Sequence, residues 1–326
     1  MLDEVKKRAG VKAVKKLKPE DYNKISLESL GLAGGSRIAV VYAVGGIYRG
    51  EDDFDPLSGA QSIGGETLSR VLHEVAEDKD IKGVIFRIDS PGGDAFASDQ
   101  ILRALSLLRA KKPVVISMSD VAGSGGYWIA LTGDPIVAYP GTLTGSIGVV
   151  YGKFNLRGLY DKIGIRKEIL SRGKHAEIDS DYHRLTPVER QKLLEGLHDI
   201  YGAFIERVAS ARRKKPEEIE PLAQGRVWLG SQARKNGLVD ELGGFDRAVA
   251  LVKERAKLKP EDKVTLVPYP APKKLLDLLM SRLGGLSGEE AVSRAVRRQL
   301  GAVLPYWRAL LDGGFLKIAP YSVHVY

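Results

Sequence analysis

The stretch that decides the fold is residues 113–128, whose sequence is PVVISMSDVAGSGGYW. Residues 113–117 are mostly apolar and β-branched, a pattern that predicts a strand. The small residues around Ser124 then stand before a helix that we predict for residues 127–131. A helix N-terminus presents unpaired backbone N–H groups and a positive partial charge. A serine there can attack a carbonyl carbon while these N–H groups hold the resulting oxyanion, so the chain is a candidate hydrolase.

Strands and helices alternate along the chain on both sides of this stretch. Apolar runs bounded by turn residues predict strands at 37–44, 82–88, 113–117 and 135–138. Helical spacing of apolar residues predicts helices at 65–76, 97–110, 154–163, 187–213, 231–236 and 245–256. The alternation implies right-handed crossovers onto a largely parallel sheet, so we predict the α/β fold class.

We place the main domain at residues 36–258, where this alternation begins and ends. Residues 1–35 are predicted to be a basic N-terminal extension or linker. Residues 259–326 are predicted to be a C-terminal extension, with a strand at 264–267, amphipathic helices at 273–283 and 289–311, and a β-like tail at 316–326.

Composition narrows the function classes. The chain has 326 residues and no cysteine, which excludes disulfides, zinc–thiolate sites and cysteine nucleophiles. Its net charge of +9 could contact an anionic membrane surface or be solvated at helix ends. No nucleic-acid partner is predicted, because basic residues do not alternate with aromatic ones. No run reaches the ~18 apolar residues of a transmembrane helix, and no signal peptide opens the chain.

Three glycine-bearing loops, residues 89–94, 123–126 and 142–148, follow predicted strands. In a parallel α/β sheet such loops gather at one edge, where ligands bind. Taken singly, Pro91-Gly92-Gly93 is typical of a turn and Gly123-Ser124-Gly125 of a helix cap. Their order and spacing together predict one site, with Ser124 as its nucleophile.

Other polar and aromatic residues allow more than one interpretation. His175 and His183 could pair with a serine or, with Asp179, bind a metal, but a solvated loop is the more common role. No third ligand at helical spacing completes a zinc set, so we predict no metal site and no cofactor. Tyr127 and Trp128 could line a substrate pocket or pack their helix onto the core.

In these loops the chain resembles the signal peptide peptidase A family of bacterial serine peptidases. The resemblance extends from Val40 to about Val249. The motifs that carry it are Gly64-Gly65, Asp89-Ser90-Pro91-Gly92-Gly93, Ser117-Met118, Ser124-Gly125-Gly126-Tyr127-Trp128, Leu143-Thr144-Gly145-Ser146-Ile147-Gly148, Gly225-Arg226-Val227-Trp228 and Gly237-Leu238-Val239-Asp240. It implies a ClpP/crotonase-type fold of stacked β-β-α units, a serine–lysine dyad and assembly into homo-oligomeric rings.

The resemblance also implies residue roles. Ser124 matches the nucleophile, and Ser146 matches the serine that hydrogen-bonds the catalytic lysine. The backbone N–H groups of Gly93 and Gly125 match the oxyanion donors. A serine hydroxyl is a weak nucleophile until a base takes its proton, and a lysine can be that base only where burial lowers its pKa.

The base is where the chain departs from the family pattern. Single-domain members place the lysine in a Gly-x-His/Tyr-Lys pattern, whereas residues 173–176 are Gly-Lys-His-Ala. Lys174, the candidate base, therefore stands two positions early, about 7 Å along an extended segment. Long members of the family have two halves, with the lysine in the N-terminal half and the serine in the C-terminal half. This chain resembles such a C-terminal half, whose base would arrive from another polypeptide or a removed segment.

The expected function is a serine endopeptidase that cleaves apolar peptides, such as signal peptides, through an acyl-enzyme. It would work at the bacterial inner membrane, facing the periplasm or the cell exterior. The substrate would lie extended between residues 92–94 and 123–126, pairing as an added strand. One alternative is a catalytically incomplete half that supplies structure or binding surface. A crotonase-type acyl-thioester enzyme is disfavoured by the placement of Ser124 and Ser146.

Overall fold

A computed structural model of the chain describes residues 35–52 and 62–270, and the backbone of residues 316–318. The strands are β1 Ser36–Val44, β2 Gly46–Tyr48, β3 Ser62–Gly64, β4 Ile81–Ser90, β5 Gly92–Asp94, β6 Val114–Gly123, β7 Ile136–Ala138, β8 Leu143–Gly145, β9 Val227–Leu229, β10 Glu241–Leu242, β11 Val264–Tyr269 and β12 Leu316–Ile318. The helices are α1 Gly65–Glu77, α2 Ala95–Arg109, α3 Gly125–Trp128, α4 Arg157–Lys162, α5 Pro187–Arg212, α6 Pro216–Ile219, α7 Gly230–Asn236 and α8 Phe245–Arg255. Among the helices in these described ranges, none is both long and apolar enough to cross a bilayer.

The main sheet has the strand order β10-β7-β6-β4-β1-β11, and β8 joins it beside β6. Its strands pair in parallel, except that β9 is antiparallel to β8. The predicted α/β class is therefore confirmed. Strand β11 pairs with β1 from Ser36 to Val41, so the sheet continues past residue 258, where we placed the end of the main domain.

A second, smaller sheet has the order β12-β5-β2-β3. Here β2 is parallel to both β3 and β5, while β12 is antiparallel to β5. Along the chain, a long strand of the main sheet is followed by one or two short strands of the second sheet and then by a helix. The series β1-β2-β3-α1 and β4-β5-α2 thus has the stacked β-β-α form that the family resemblance implies.

The core lies on both faces of the main sheet. Alternate residues of β4, such as Phe86 and Ile88, face a large cluster that includes α1 and α2. The intervening Ile85 faces a smaller cluster under α8. Complete burial of such a side chain stabilises the fold by about 1.5–3 kcal/mol, so both faces hold the sheet in place.

Helices α1 and α2 follow the predicted apolar spacing, with Leu68 and Leu72 buried on α1 and Ile101 and Leu105 on α2. Helix α2 begins two residues before the predicted start, because the Asp94 side chain accepts a hydrogen bond from the Ala97 N–H and caps it. Helix α5 begins with a capping box formed by Thr186 and Glu189. The Asp94 cap fixes the point at which β5 ends and α2 begins.

The segment between β8 and α5 departs most from prediction. The helix predicted at 154–163 is only α4, and residues 163–186 contain neither helix nor strand. None of residues 148–188, all of which the structure describes, is buried. A short helix without tertiary packing is marginal in water, which explains why α4 ends after six residues. The helices predicted at 273–283 and 289–311, and residues 1–34, lie outside the described residues.

Candidate active site

Ser124 lies at the sharp turn between β6 and α3. Its backbone has φ 53° and ψ −117°, a left-handed conformation that costs a residue other than glycine about 1–3 kcal/mol. Two hydrogen bonds hold the turn: the Ser124 N–H donates to the Gly145 carbonyl at 2.9 Å, and the Ser124 carbonyl accepts from the Trp128 N–H at 2.9 Å. The fold therefore sustains a strained conformation at the predicted nucleophile.

Helix α3 spans only Gly125–Trp128, not the predicted residues 127–131. Helix dipoles add up over aligned peptide units, so a single turn provides little macrodipole. What it does provide is the N–H of its first residue, Gly125, which has no acceptor within the helix. Any stabilisation of an oxyanion at Ser124 therefore comes from nearby backbone N–H groups and not from a helix macrodipole.

The Ser124 hydroxyl is buried without a partner. The residue is 1% exposed, and its Oγ has no hydrogen-bond partner among the described residues. A buried hydroxyl left unpaired costs about 1–3 kcal/mol. An unpaired polar atom at a strained turn is typical of a functional site.

The two predicted oxyanion residues lie against each other. A Cβ atom placed on Gly125 would lie 3.0 Å from the Gly93 nitrogen and 2.6 Å from Ser98 Oγ. Gly93 has φ 156°, and a Cβ there would lie 2.0 Å from the Ile47 carbonyl oxygen. Neither position accepts a side chain without moving backbone, and the end of β5 meets the start of α3.

Ser146 occupies the position beside Ser124 on the neighbouring strand. Strands β6 and β8 are parallel, with Gly123 opposite Gly145, and each serine is the next residue. Ser146 is 2% exposed and, like Ser124, has a positive φ, of 49°. Its N–H donates to the Arg226 carbonyl at 2.7 Å. The structure therefore brings the two serines together, as the sequence predicts.

Tyr127 and Trp128 pack α3 onto the core. The Tyr127 hydroxyl donates to the Leu238 carbonyl at 2.7 Å, and burial raises the pKa of this hydroxyl. Trp128 contacts Phe204 edge to face, with ring centroids 4.8 Å apart. Of the two roles that the sequence left open, packing applies to both residues, since they are at most 3% exposed.

A partly buried ion pair lies next to Tyr127. Arg212 donates both terminal guanidinium nitrogens to the Asp240 carboxylate at 2.9 and 2.5 Å, and its Nε to the Gly237 carbonyl at 2.8 Å. Bidentate pairs of this kind fix geometry as well as charge. Because Leu238 of this motif accepts the hydrogen bond from Tyr127, residues 237–240 hold α3 in place.

Lys174, the candidate base, lies in the segment between β8 and α5. It is exposed and belongs to a series of turns at residues 174–179, where the Ala176 N–H donates to the Gly173 carbonyl at 3.3 Å. Because this segment is not extended, the expected shift of about 7 Å along a strand does not apply to Lys174. Lys174 makes no hydrogen bond to Ser124 Oγ, and its catalytic role stays a prediction.

His183, one of the two histidines considered in the sequence, lies near two carboxylates of the same region. His183 lies 3.4 Å from Glu189 and 3.7 Å from Glu177. Asp179 accepts a hydrogen bond from the Tyr151 hydroxyl. These contacts hold the segment together and leave Ser124 without a histidine partner among the described residues.

Comparison with known proteins identifies the family. Residues 106–259 match peptidase family S49. A protein of Enterococcus faecium named as a signal peptide peptidase SppA is 30% identical over 237 residues, which are 72% of this chain and 69% of that protein. The chain belongs to peptidase family S49. The family resemblance inferred from the motifs is thereby confirmed.

Two longer S49 relatives match more of the chain. The chloroplastic serine protease SPPA of Arabidopsis thaliana is 41% identical over 317 residues, 92% of this chain and 46% of that protein. Protease 4 of Salmonella typhi is 38% identical over 285 residues, 87% of this chain and 44% of that protein. The chain thus spans less than half the length of these two relatives. Among solved structures, a ClpP1 mutant of Listeria monocytogenes matches at 15% identity, with a TM-score of 0.40, over 64% of this chain and 94% of that one.

Sequence reasoning missed two residues that shape this S49 site. Ser98 is fully buried behind Gly125, where its Oγ donates to the Asp94 carbonyl at 2.7 Å. Arg49 Nε donates to the Asp94 carboxylate at 3.0 Å and so holds the residue that follows Gly93. If Asp94 had been recognised as the N-cap of α2, Ser98 would have been placed on the first turn of that helix, one turn after Asp94.

Proposed function

We propose that this chain is the nucleophile-bearing part of a serine endopeptidase that cleaves apolar peptides. The observation that carries the proposal is the Ser124 hydroxyl, buried and unpartnered at a strained turn beside Gly93 and Gly125. Family S49 membership supports the reaction class. The activity of the longer relatives is extended to this chain only as part of the proposal.

In the proposed mechanism, Ser124 Oγ attacks the carbonyl carbon of the scissile peptide bond while a neutral amine takes its proton. The N–H groups of Gly93 and Gly125 hold the oxyanion of the tetrahedral intermediate. The protonated amine then gives its proton to the leaving nitrogen, and an acyl-enzyme remains. Water activated by the same amine hydrolyses this ester and restores Ser124. The loss of one oxyanion donor typically lowers turnover by ~10²–10³.

Ser146 is proposed to orient the amine. It stands beside Ser124 at the end of the neighbouring strand and is buried. An amine held there would be desolvated, which lowers its pKa towards the working pH. The amine is either Lys174 or a lysine from outside this chain. The exposure of Lys174 and the unpartnered Ser124 hydroxyl favour the second source.

The proposed substrate is an extended apolar segment, such as a signal peptide. Glycines at residues 92–93 and 125–126 let a peptide backbone approach closely, and an extended peptide can bind by pairing with a strand. The name of the Enterococcus faecium relative supports this substrate class.

We also propose that the chain assembles with further copies at a bacterial membrane, facing the periplasm or the cell exterior. Support comes from the unburied segment between β8 and α5, which exposes the apolar side chains Leu159, Ile163, Ile165 and Leu170. Exposed apolar patches of this kind mark interaction surfaces. A ring of copies would bury them.

A fluorophosphonate probe tests the nucleophile. We expect the probe to label Ser124 in the wild-type chain and in the control Ser106→Ala, and to label nothing in Ser124→Ala. A small primary amine added to the buffer should accelerate the labelling if the chain lacks its base, because it can accept the serine proton. Equal labelling of Ser124→Ala and wild type would contradict the proposed nucleophile.

The incomplete-half alternative makes a different prediction. If the chain supplies only structure or binding surface, Ser124 stays unlabelled with and without added amine. It would also stay unlabelled when a polypeptide that supplies the lysine is added.

A further inference from the structure

We propose that strand β12 (Leu316–Ile318) occupies the peptide-binding edge of β5, so that a substrate must displace this strand before it reaches Ser124. The inference rests on the proposed function and adds a regulator of the same site. Its basis is the pairing and position of β12 in the second sheet.

Both edges of β5 are already paired. On one edge β2 runs parallel, with Ile47 opposite Gly93. On the other edge β12 runs antiparallel, and its three residues lie opposite Gly92, Gly93 and Asp94. A peptide that adds to a sheet needs a strand edge with unpaired N–H and C=O groups. While β12 is in place, β5 offers no such edge.

The path of β12 coincides with the proposed path of the substrate. Besides β5, the strand contacts α3, the helix that directly follows Ser124. It therefore runs along residues 92–94 and close to α3, with its central residue opposite Gly93. An extended substrate lying between residues 92–94 and 123–126 would need the same space.

The composition of β12 and its attachment to the same chain suit a reversible occupant. Residues 315–319 are Phe-Leu-Lys-Ile-Ala, an apolar segment with one cation, the class of sequence proposed for the substrate. Attachment to the same chain raises the effective concentration of a strand to the order of millimolar. With only three paired residues the strand is short, and such short pairings are marginal in water. A peptide of sufficient length can therefore displace it.

The test breaks the β12 pairing in the full chain. Successive N–H groups of a strand point to opposite sides, so one proline of Leu316→Pro/Lys317→Pro removes a donor directed at β5. The matched control, Leu316→Ala/Lys317→Ala, keeps both donors. Hydrogen exchange at Gly92–Asp94 reports the pairing, and the anisotropy of a short fluorescent peptide of alternating leucine and serine reports binding.

We expect faster exchange at Gly92–Asp94 in the proline variant and tighter peptide binding. An occupant that holds the edge about 90% of the time weakens the apparent affinity about tenfold, so its release should strengthen binding by that factor. The alanine control should match wild type in both measurements. A free peptide with the sequence of residues 314–320 should compete with the fluorescent peptide on the proline variant.

Three results would overturn the inference: unchanged exchange, faster exchange without tighter peptide binding, or weaker peptide binding, which would make β12 a wall of the site. Fluorophosphonate labelling of Ser124, measured on the same samples, tests the proposed function separately. The probe is small and needs no strand edge. If the probe labels Ser124 in none of the variants, the proposed nucleophile is refuted. The proposed competition between β12 and the substrate for β5 is not affected by that result.

Discussion

The nucleophile side and the base side of the candidate site differ in how firmly the fold holds them. On the nucleophile side, Ser124 and Ser146 are 1% and 2% exposed at the ends of paired strands. On the base side, residues 148–188 bury none of their side chains, and Lys174 lies in solvent. A segment with few buried apolar contacts opens easily. Under the proposed mechanism, the chain thus pre-organises attack and oxyanion binding by itself, whereas a further surface would complete the base side.

The largest effect is expected on the nucleophile side from Gly125→Ala. The new Cβ would lie 2.6 Å from Ser98 Oγ and 3.0 Å from the Gly93 nitrogen, so it would push the two oxyanion donors apart. We expect the rate of Ser124 phosphonylation by the fluorophosphonate, or of peptide hydrolysis in the assembled enzyme, to fall ~10²–10³-fold. The measurement is the second-order rate constant of labelling.

Gly141→Ala is the matched control for this variant. A Cβ at Gly141 has no atom within 4 Å, so the labelling rate should stay at the wild-type value. Normal labelling of Gly125→Ala would show that the donors have room to adjust, and the contrast between the two sides would lose its main support.

The two sides also differ in how well they could be predicted from the sequence. The strands that lead to Ser124 and the glycine-bearing loops around it were predictable, because strand pattern and glycines act locally, whereas the role of Ser146 was inferred from the family resemblance. Ser98 and Arg49 were missed because their role depends on contacts across the fold. The helix predicted at 154–163 is shorter in the structure, since apolar spacing predicts a helix reliably only where there is a core to bury it against. The position of β12 on β5 depends on pairing across more than 200 residues of sequence, which no local pattern reveals.

A moderate effect on stability is expected from Tyr127→Phe. The change removes the hydroxyl that donates to the Leu238 carbonyl at 2.7 Å and leaves a buried acceptor unpaired. The free energy of unfolding should fall by about 1–3 kcal/mol, as measured by urea denaturation. Tyr182→Phe removes a hydroxyl from the base side and should change this free energy by less than about 0.5 kcal/mol. Equal losses in both variants would contradict the difference in packing.

A smaller, pH-dependent effect is expected at Glu189, where the base side joins α5. Hydrogen bonds from the Thr186 N–H and hydroxyl, at 2.8 and 2.9 Å, lower the pKa of Glu189. A carboxyl whose pKa is lowered by folding stabilises the fold above its unfolded pKa of about 4.3. This stabilisation disappears as the pH falls through the folded pKa.

Glu189→Gln should therefore be less stable than wild type at neutral pH, and the difference should shrink as the pH falls below about 4.3. Urea denaturation at several pH values measures it. Glu206→Gln removes an exposed charge from the same helix and should show a smaller difference. A gap between Glu189→Gln and wild type that stays constant down to acid pH would contradict the role of the charged carboxylate in the cap.

The smallest effect is expected from Lys174→Ala, and it is the sharpest test of the contrast. If the fold pre-organises only the nucleophile side, removing an exposed lysine from the base side leaves the labelling rate of Ser124 unchanged. Lys162→Ala, another exposed lysine of the same segment, is the matched control and should behave identically. A loss of labelling in Lys174→Ala alone would make Lys174 the base within this chain. Residues 148–188 would then have to fold over Ser124 before reaction, because an amine takes the serine proton only within hydrogen-bond reach.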